Sequence, residues 1–246
     1  MDIIALRRDF HMHPEVGFTE FRTASKVVEI LSSLGYEVIY GPDAMDGASR
    51  RGLPSEEALE EAYSRAIRDG ANPDIAGKMR GGYTAVIGIL KGEGEGPTVA
   101  FRFDMDALPI RESRDTDHPP QSQGFRSQYE GNMHACAHDG HTSIGLGLAA
   151  KLADRRFYGT VKLIFQPAEE GVRGRTQLCK KDGWTTSTTC SATTWERMPP
   201  RANFMAAETV SWRVRSWPPA STASLRMQAH PRRKAAMRCS APPRRC

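Results

Sequence analysis

Residues 175–246 of this 246-residue chain hold no isoleucine, no tyrosine, only two leucines and only three acidic side chains. Little is left there with which to fill a core. An ordinary solvated arm is excluded as well, because such arms are rich in Lys, Glu, Ser and Gly and poor in Trp and Cys. This stretch instead carries all four Trp and four of the five Cys (Cys179, Cys190, Cys239 and Cys246). No run is apolar for long enough to cross a bilayer, and the first residues lack the basic-then-apolar order of a secretory signal. Residues 1–174 contain only Cys136, which rules out a disulfide framework and agrees with a reducing compartment. The expected location is the cytoplasm. Internal repeats are missing too.

The overall charge of +5 averages two unlike pieces. Residues 1–174 carry 20 Lys and Arg against 26 Asp and Glu, a net charge of −6, whereas residues 175–246 carry 14 against 3, a net charge of +11. The genetic code supplies a reason. When the third base of each codon is read with the first two of the next, the neighbouring frame must encode Asp across Trp184–Thr185, Gly across Trp195–Glu196, Gly across Met205–Ala206 and Ala across Met227–Gln228. Between these forced steps, Cys190–Arg197 permits Phe-Gly-His-His-Leu-Gly-Glu and Arg226–Ala229 permits His-Ala-Gly. A shift of frame between Gly174 and Leu178 accounts for the composition. Residues 1–174 are then expected to form one compact domain, and residues 175–246 an out-of-frame, poorly ordered tail without a stable fold.

What remains alternates helix-like and strand-like segments. From Thr19 to Leu34, Phe21, Ala24, Val28, Leu31 and Leu34 recur at helical spacing, with Thr19 as the cap and Gly35 as the stop. Glu37–Tyr40 reads as a short strand. Residues 41–80 are polar and read as a solvated excursion, with one helix from Ser55 to Asp69 ended by Gly70. Thr84–Leu90 and Thr98–Phe103 are strands that either pair as a hairpin or lie apart in one sheet. A helix from Asp139 to Leu152 and a strand from Gly159 to Phe165 follow. The pattern predicts an α/β fold, a mixed sheet with helices on both faces.

The chemistry gathers at the ends of these elements. Phe103-Asp104-Met105-Asp106 closes one strand, Gln166-Pro167-Ala168-Glu169-Glu170 closes another, and His138 to His141 opens a helix. Open α/β sheets bind ligands beyond the carboxyl ends of their strands, so these loops can meet in one crevice. Cys136 and His138 are one residue apart, which puts both side chains on one side of an extended loop and lets them converge on a metal. His134 and His141 are further donors. Glu169 and Glu170 cannot point the same way in a regular backbone, so one can hold metal while the other moves a proton.

These residues also carry a resemblance. Arg7-Arg8-Asp9-Phe10-His11-Met12-His13-Pro14-Glu15, Phe103-Asp104-Met105-Asp106-Ala107-Leu108-Pro109, the loop with Cys136 and His138, and Phe165-Gln166-Pro167-Ala168-Glu169-Glu170-Gly171 resemble the M20 metallopeptidases. The branch is the amidohydrolases that include hippurate and auxin-conjugate hydrolases. The resemblance covers residues 4–174, the N-terminal part of such a catalytic domain. Gly41–Ala71, with Ser49-Arg50-Arg51-Gly52-Leu53-Pro54, resembles the insertion found in the A-type chain of aminobenzoyl-glutamate hydrolases.

The resemblance implies that Cys136, His138 and Glu170 bind a pair of divalent ions, manganese or zinc. It further implies that Glu169 is the general base and that Asp104 is the active-site aspartate, while His134 and His141 stay unassigned. The implied substrate is an N-acyl amino acid such as aminobenzoyl-glutamate, cleaved to aminobenzoate and glutamate. Family members dimerise, and a related B-type chain is a candidate partner; neither nucleic acid nor membrane is expected to be one.

Two departures stand out. Ala137 replaces the family's Gly, which strains the loop if that position needs a positive φ. The family's later ligands are also missing. The shifted frame supplies a His-His-Leu-Gly stretch at Thr193 and Thr194 and another active-site His at Arg226 and Met227, and the chain itself supplies neither. Since about three protein ligands commonly hold each catalytic metal, this polypeptide is expected to be inactive or nearly so. The competing readings are a metal-binding pseudoenzyme and a nucleic-acid binder using Arg232-Arg233-Lys234 and Arg244-Arg245. Resequencing codons 172 to 180 is expected to reveal one added or missing base, and an unchanged reading would leave the tail as the gene's true product.

Overall fold

The computed structural model describes residues 1–171 and Arg173, together with the backbone of Thr189–Thr194 and Glu208–Arg213. The rest of the expected tail lies outside the described residues. In chain order the elements are α1 (Ile3–Met12), α2 (Phe21–Ser33), β1 (Glu37–Tyr40), α3 (Glu56–Arg68), α4 (Pro73–Lys78), β2 (Val86–Lys91), β3 (Gly94–Asp104), the single turn α5 (Pro119–Ser122), α6 (His138–Leu152), β4 (Tyr158–Gln166), β5 (Thr189–Thr194) and β6 (Glu208–Arg213). The expected mixed α/β sheet with packed helices is present.

Its strand order is β1-β2-β4-β3-β5-β6. β2 and β3 are not a hairpin, because β4 lies between them, antiparallel to β2 and parallel to β3. A parallel neighbour needs a long crossover, and α6 lies in the one joining β3 to β4. The register Phe103↔Phe165 and Asp104↔Gln166 makes both strands end at the same edge. β5 runs parallel to β3 on its other side, and β6 is antiparallel to β5.

The main core lies where α2 and α6 cover one face of the sheet. Phe103 and Phe165 pack there as a tilted pair with ring centres 5.4 Å apart. Each fully buried aromatic of this kind contributes about 2–3 kcal/mol. Gly145 of α6 is required by that contact, since a Cβ there would come within 2.7 Å of the Phe103 ring. On the opposite face Phe18, Ala44, Met45, Ile87, Ala100 and Ile164 form a second cluster. Among the described residues, no helix is long and apolar enough to cross a membrane.

Three local expectations change. α2 is not capped by Thr19, whose hydroxyl donates to Val16 O at 2.7 Å. The buried Glu15 carboxylate takes that place, accepting the N–H groups of Arg22 at 3.0 Å and Thr23 at 2.8 Å. Residues 41–80 are not a solvated excursion. α3 starts at Ser55 as expected, with the Ser55 side chain accepting from Ala58 N, but it buries Leu59, Ala62 and Ala66, and α4 and its end bury Ala76 and Met79. Small apolar residues and alanine made that inward stripe look polar. α1 had no apolar period to announce it; Asp2 caps it, and it buries only Phe10 and His11.

α1 and α2 are tied by Asp9, which accepts from Arg22 Nη1 and Nη2 at 3.0 and 2.9 Å and from Lys26 Nζ at 2.6 Å. Burial works against ionisation of Asp9, yet hydrogen bonds and charge from Arg22 and Lys26 outweigh it and hold the carboxyl at about 2, below its usual 3.8. A depressed folded pKa gives stability that is complete above the unfolded value and is lost as pH falls through the folded one. Asp9→Asn should therefore lower unfolding free energy by about 1–2 kcal/mol at neutral pH. In denaturant titrations that deficit should shrink between pH 4 and pH 2; a constant deficit would refute the ionic account.

Candidate metal centre

Because β3 and β4 end together, the loops carrying Asp104-Met105-Asp106 and Ala168-Glu169-Glu170 leave the same edge of the sheet. The start of α6 meets them there. Ligand atoms of Cys136, His138 and Glu170 all lie within 4.8 Å of one another, and so do those of Asp104, His138 and His141.

His138 sits at the middle of both groups. Its Nδ1 donates to the backbone oxygen of Asp106 at 2.7 Å. A carbonyl only accepts, so in the neutral ring the proton is on Nδ1 and the lone pair is on Nε2. Nε2 in turn faces Asp104 Oδ1 at 3.6 Å, Glu169 Oε2 at 3.9 Å and Glu170 Oε1 at 3.9 Å. Metal-binding imidazoles are commonly oriented in this way, with the second nitrogen fixed by a carbonyl. Both glutamates reach the same ring because the backbone before them is irregular, with Ala168 at φ 50°.

The local field is strongly negative. The Cys136 thiol is pushed up to about 12, first by hydrogen bonding to the Glu170 carboxylate and then by burial and by the charges of Glu170, Glu169 and Asp104. Burial pulls the His138 ring down, but its bonds to Asp106 and the charges of Asp104 and Asp106 overcome this and raise it to about 9. Glu169 is raised by burial and by the charge of Asp104, against the pull of Arg102 and His138. Burial also opposes ionisation of Asp104, yet His141, His138 and Arg102 hold its pKa low. Asp104 accepts from Arg102 Nη1 at 2.6 Å and is in close contact with His141 Nδ1. A thiol, an imidazole nitrogen and a carboxylate oxygen, converging in a negative field, are the donor set of a zinc-like divalent ion. Glu170 Oε1, one of the two oxygens of that carboxylate, is buried and has no hydrogen-bond partner among the described residues.

His134 does not join this cluster. It is fully buried, its ring nitrogens have no hydrogen-bond partner among the described residues, and burial lowers it to about 4. It packs 6.4 Å from His11, which bridges Asp139 and Glu112 at 2.9 Å each. Sequence reasoning missed two residues that hold the glutamate loop. The Asp106 carboxylate accepts the N–H of Glu169 at 2.9 Å and of Glu170 at 3.0 Å, and Glu20 Oε1 accepts the N–H of Ala168 at 2.8 Å. Asp106 was visible as a strand-end carboxylate, but nothing local marked Glu20.

Residues 100–218 match the peptidase family M20/M25/M40, a span that includes β5 and β6. Indole-3-acetyl-aspartic acid hydrolase of Enterobacter agglomerans is 52% identical over 171 residues, covering 68% of this chain and 39% of that protein. The A-type chain of the p-aminobenzoyl-glutamate hydrolase of Escherichia coli (strain K12) is 48% identical over 170 residues, covering 68% and 39%. The chain belongs to the M20 family.

Two solved structures agree with the fold. An aminobenzoyl-glutamate utilization protein from Klebsiella pneumoniae superposes with a TM-score of 0.64 at 41% identity, covering 77% of this chain and 42% of that one. A dinuclear metal binding peptidase from the M20 family of Bacillus subtilis gives 0.54 at 32% identity, covering 76% and 40%. The chain thus spans about two fifths of the length of these relatives. The dinuclear neighbour and the convergent donors together support divalent metal binding.

Ala137, between Cys136 and His138, adopts φ 62° and ψ 25°, the positive φ at which an alanine is strained. An alanine in this left-handed region costs about 1 kcal/mol relative to glycine. Ala137→Gly should accordingly raise unfolding free energy by about 1 kcal/mol. An unchanged denaturation midpoint would show that the position is relaxed.

Proposed function

We propose that this chain is the N-terminal part of an M20 amidohydrolase that cleaves N-acyl amino acids, with aminobenzoyl-glutamate as substrate and aminobenzoate and glutamate as products. The convergence of Cys136, His138 and Glu170 carries the reading, and the names of the two hydrolase relatives support the substrate class. Cys136, His138 and Glu170 would hold a pair of divalent ions, manganese or zinc. Such ions supply Lewis acidity for the amide carbonyl and make water more acidic. Glu169 is the general base. Burial and the charge of Asp104 raise its pKa above the ordinary carboxylate value, and it is only half-buried, which suits a group that takes a proton from attacking water and returns it to the leaving nitrogen. Arg102 Nη1, 4.0 Å from Glu169 Oε1, favours the ionised base.

Residues 175–246 are read as an out-of-frame tail, and the chain as it stands as inactive or nearly so. The register supports this: Arg102↔Ala192 carries Thr193 and Thr194 to the edge where Asp104 leaves β3, and the neighbouring frame writes His-His at those two positions. The relatives from Escherichia coli and Haemophilus influenzae are both named as one chain type of a hydrolase with lettered components, which supports a second, B-type chain as partner. A cytoplasmic location is part of the same reading.

Metal content and hydrolysis of aminobenzoyl-glutamate, measured together on this chain and on the frame-restored protein, test the reading. The chain should bind metal without turnover above background, as a pseudoenzyme would. The restored protein should hydrolyse the substrate, lose the activity on chelation, and lose roughly 10²- to 10⁴-fold of its kcat on Glu169→Ala. A restored protein indifferent to chelation or to Glu169→Ala would end the proposal.

A further inference from the structure

Glu20 lies far in sequence from every residue of the metal centre, at the N-terminal end of α2, and is completely buried. A buried carboxylate is costly unless its oxygens are matched. Both are matched here: Thr84 Oγ1 donates to Oε2 at 2.6 Å, and the N–H of Ala168 donates to Oε1 at 2.8 Å. The next two N–H groups, of Glu169 and Glu170, go to Asp106. Three successive backbone donors of the glutamate loop are therefore held by two buried carboxylates from other parts of the chain. Such a run of N–H groups is an anion-binding concavity, filled here from within the protein.

The turn so held is an unfavourable one. Ala168 has φ 50° without being glycine, and its Cβ is so close to Gly17 that any Cβ at position 17 would lie 2.9 Å from it. The segment before α2 is thus pressed against the loop, with Val16 bridged to Ala107 and Glu15 O accepting from Ala107 N at 2.7 Å. Without its acceptor, the Ala168 N–H would be buried and unsatisfied, and the turn would relax towards a conformation that separates Glu169 from Glu170.

We propose that Glu20 is a positioning residue of the metal centre, fixing the Ala168 turn so that Glu169 and Glu170 both face His138. The inference rests on the metal reading above for its consequence, but the restraint itself is a property of the metal-free chain. Burial and the charge of Asp106 push Glu20 up to about 8, so glutamine, which can accept from Ala168 and donate to Thr84, is a close mimic of its protonated form.

The test compares the full chain with Glu20→Ala, Glu20→Gln and Glu170→Ala in two measurements: amide hydrogen exchange over residues 165–171, and titration with Co²⁺ alone, read by the thiolate-to-cobalt absorption of Cys136. Glu20→Ala should speed exchange at Ala168, Glu169 and Glu170 and weaken Co²⁺ binding by about tenfold or more, and Glu20→Gln should restore both. Unchanged exchange and affinity in Glu20→Ala, or a loss in Glu20→Gln as large as in Glu20→Ala, would overturn the proposal. If Glu170→Ala binds Co²⁺ like the unaltered chain, or the unaltered chain binds none, the metal reading falls while the exchange data still decide the role of Glu20. Should Glu20→Ala fail to fold, Thr84→Val, which removes only the hydroxyl that holds Glu20, carries the same expectation at smaller amplitude.

Discussion

Asp106 joins the two halves of the candidate centre with one residue. Its backbone oxygen fixes the Nδ1 proton of His138, and its carboxylate takes the N–H groups of Glu169 and Glu170. The imidazole and the two carboxylates are thereby aimed from a common anchor at the end of β3. This works only because β3 and β4 are parallel neighbours that stop at the same level, Asp104 opposite Gln166. An antiparallel pair would send one of the two loops to the far edge of the sheet. The crossover through α6 then brings the start of that helix back to the same edge, and the close packing of Gly145 on Phe103 fixes how near it comes.

The negative charge gathered at this edge is expensive to keep in a folded protein. Asp104 and Asp106 are nearly inaccessible, and Cys136 and His138 both have their protonated forms favoured by their surroundings. A divalent cation reverses that balance, since it stabilises thiolate, neutral imidazole and carboxylate together. The Arg102 guanidinium, which donates to Asp104, offsets part of the negative charge.

Much of this was legible in the sequence where one segment determines its own structure. The period of Phe21, Ala24, Val28 and Leu31 gave α2, Ser55 and Gly70 bounded α3, and the strand-end position of Asp104, Glu169 and Glu170 put them at one edge of the sheet. Cys136 and His138 do converge, but not through the extended loop their spacing suggested: Ala137 between them is left-handed and His138 opens α6. What escaped was non-local. The cap of α2 comes from Glu15 in place of Thr19, β4 inserts between two strands that are adjacent in sequence, and Glu20 bonds a residue 148 positions away. Composition misled at residues 41–80, where alanines on α3 face inward although the segment is polar overall. Ala137 was legible only conditionally: the sequence could say what a left-handed residue would cost, and the structure supplies the left-handed φ.

The bond between Glu20 and Ala168 spans nearly all of the side-chain structure described, and this gives the protein an order of assembly. Contacts between distant segments form late, because the loop they close must first be ordered. α1, α2 and the insertion can collapse on one another while Glu20 and Asp106 are still hydrated anions. Only when β4 docks beside β3 do those anions lose water and find their amide donors. During synthesis, the cation pocket is accordingly among the last things to take shape, and its completion marks the moment at which the first and last parts of this half-sheet have met.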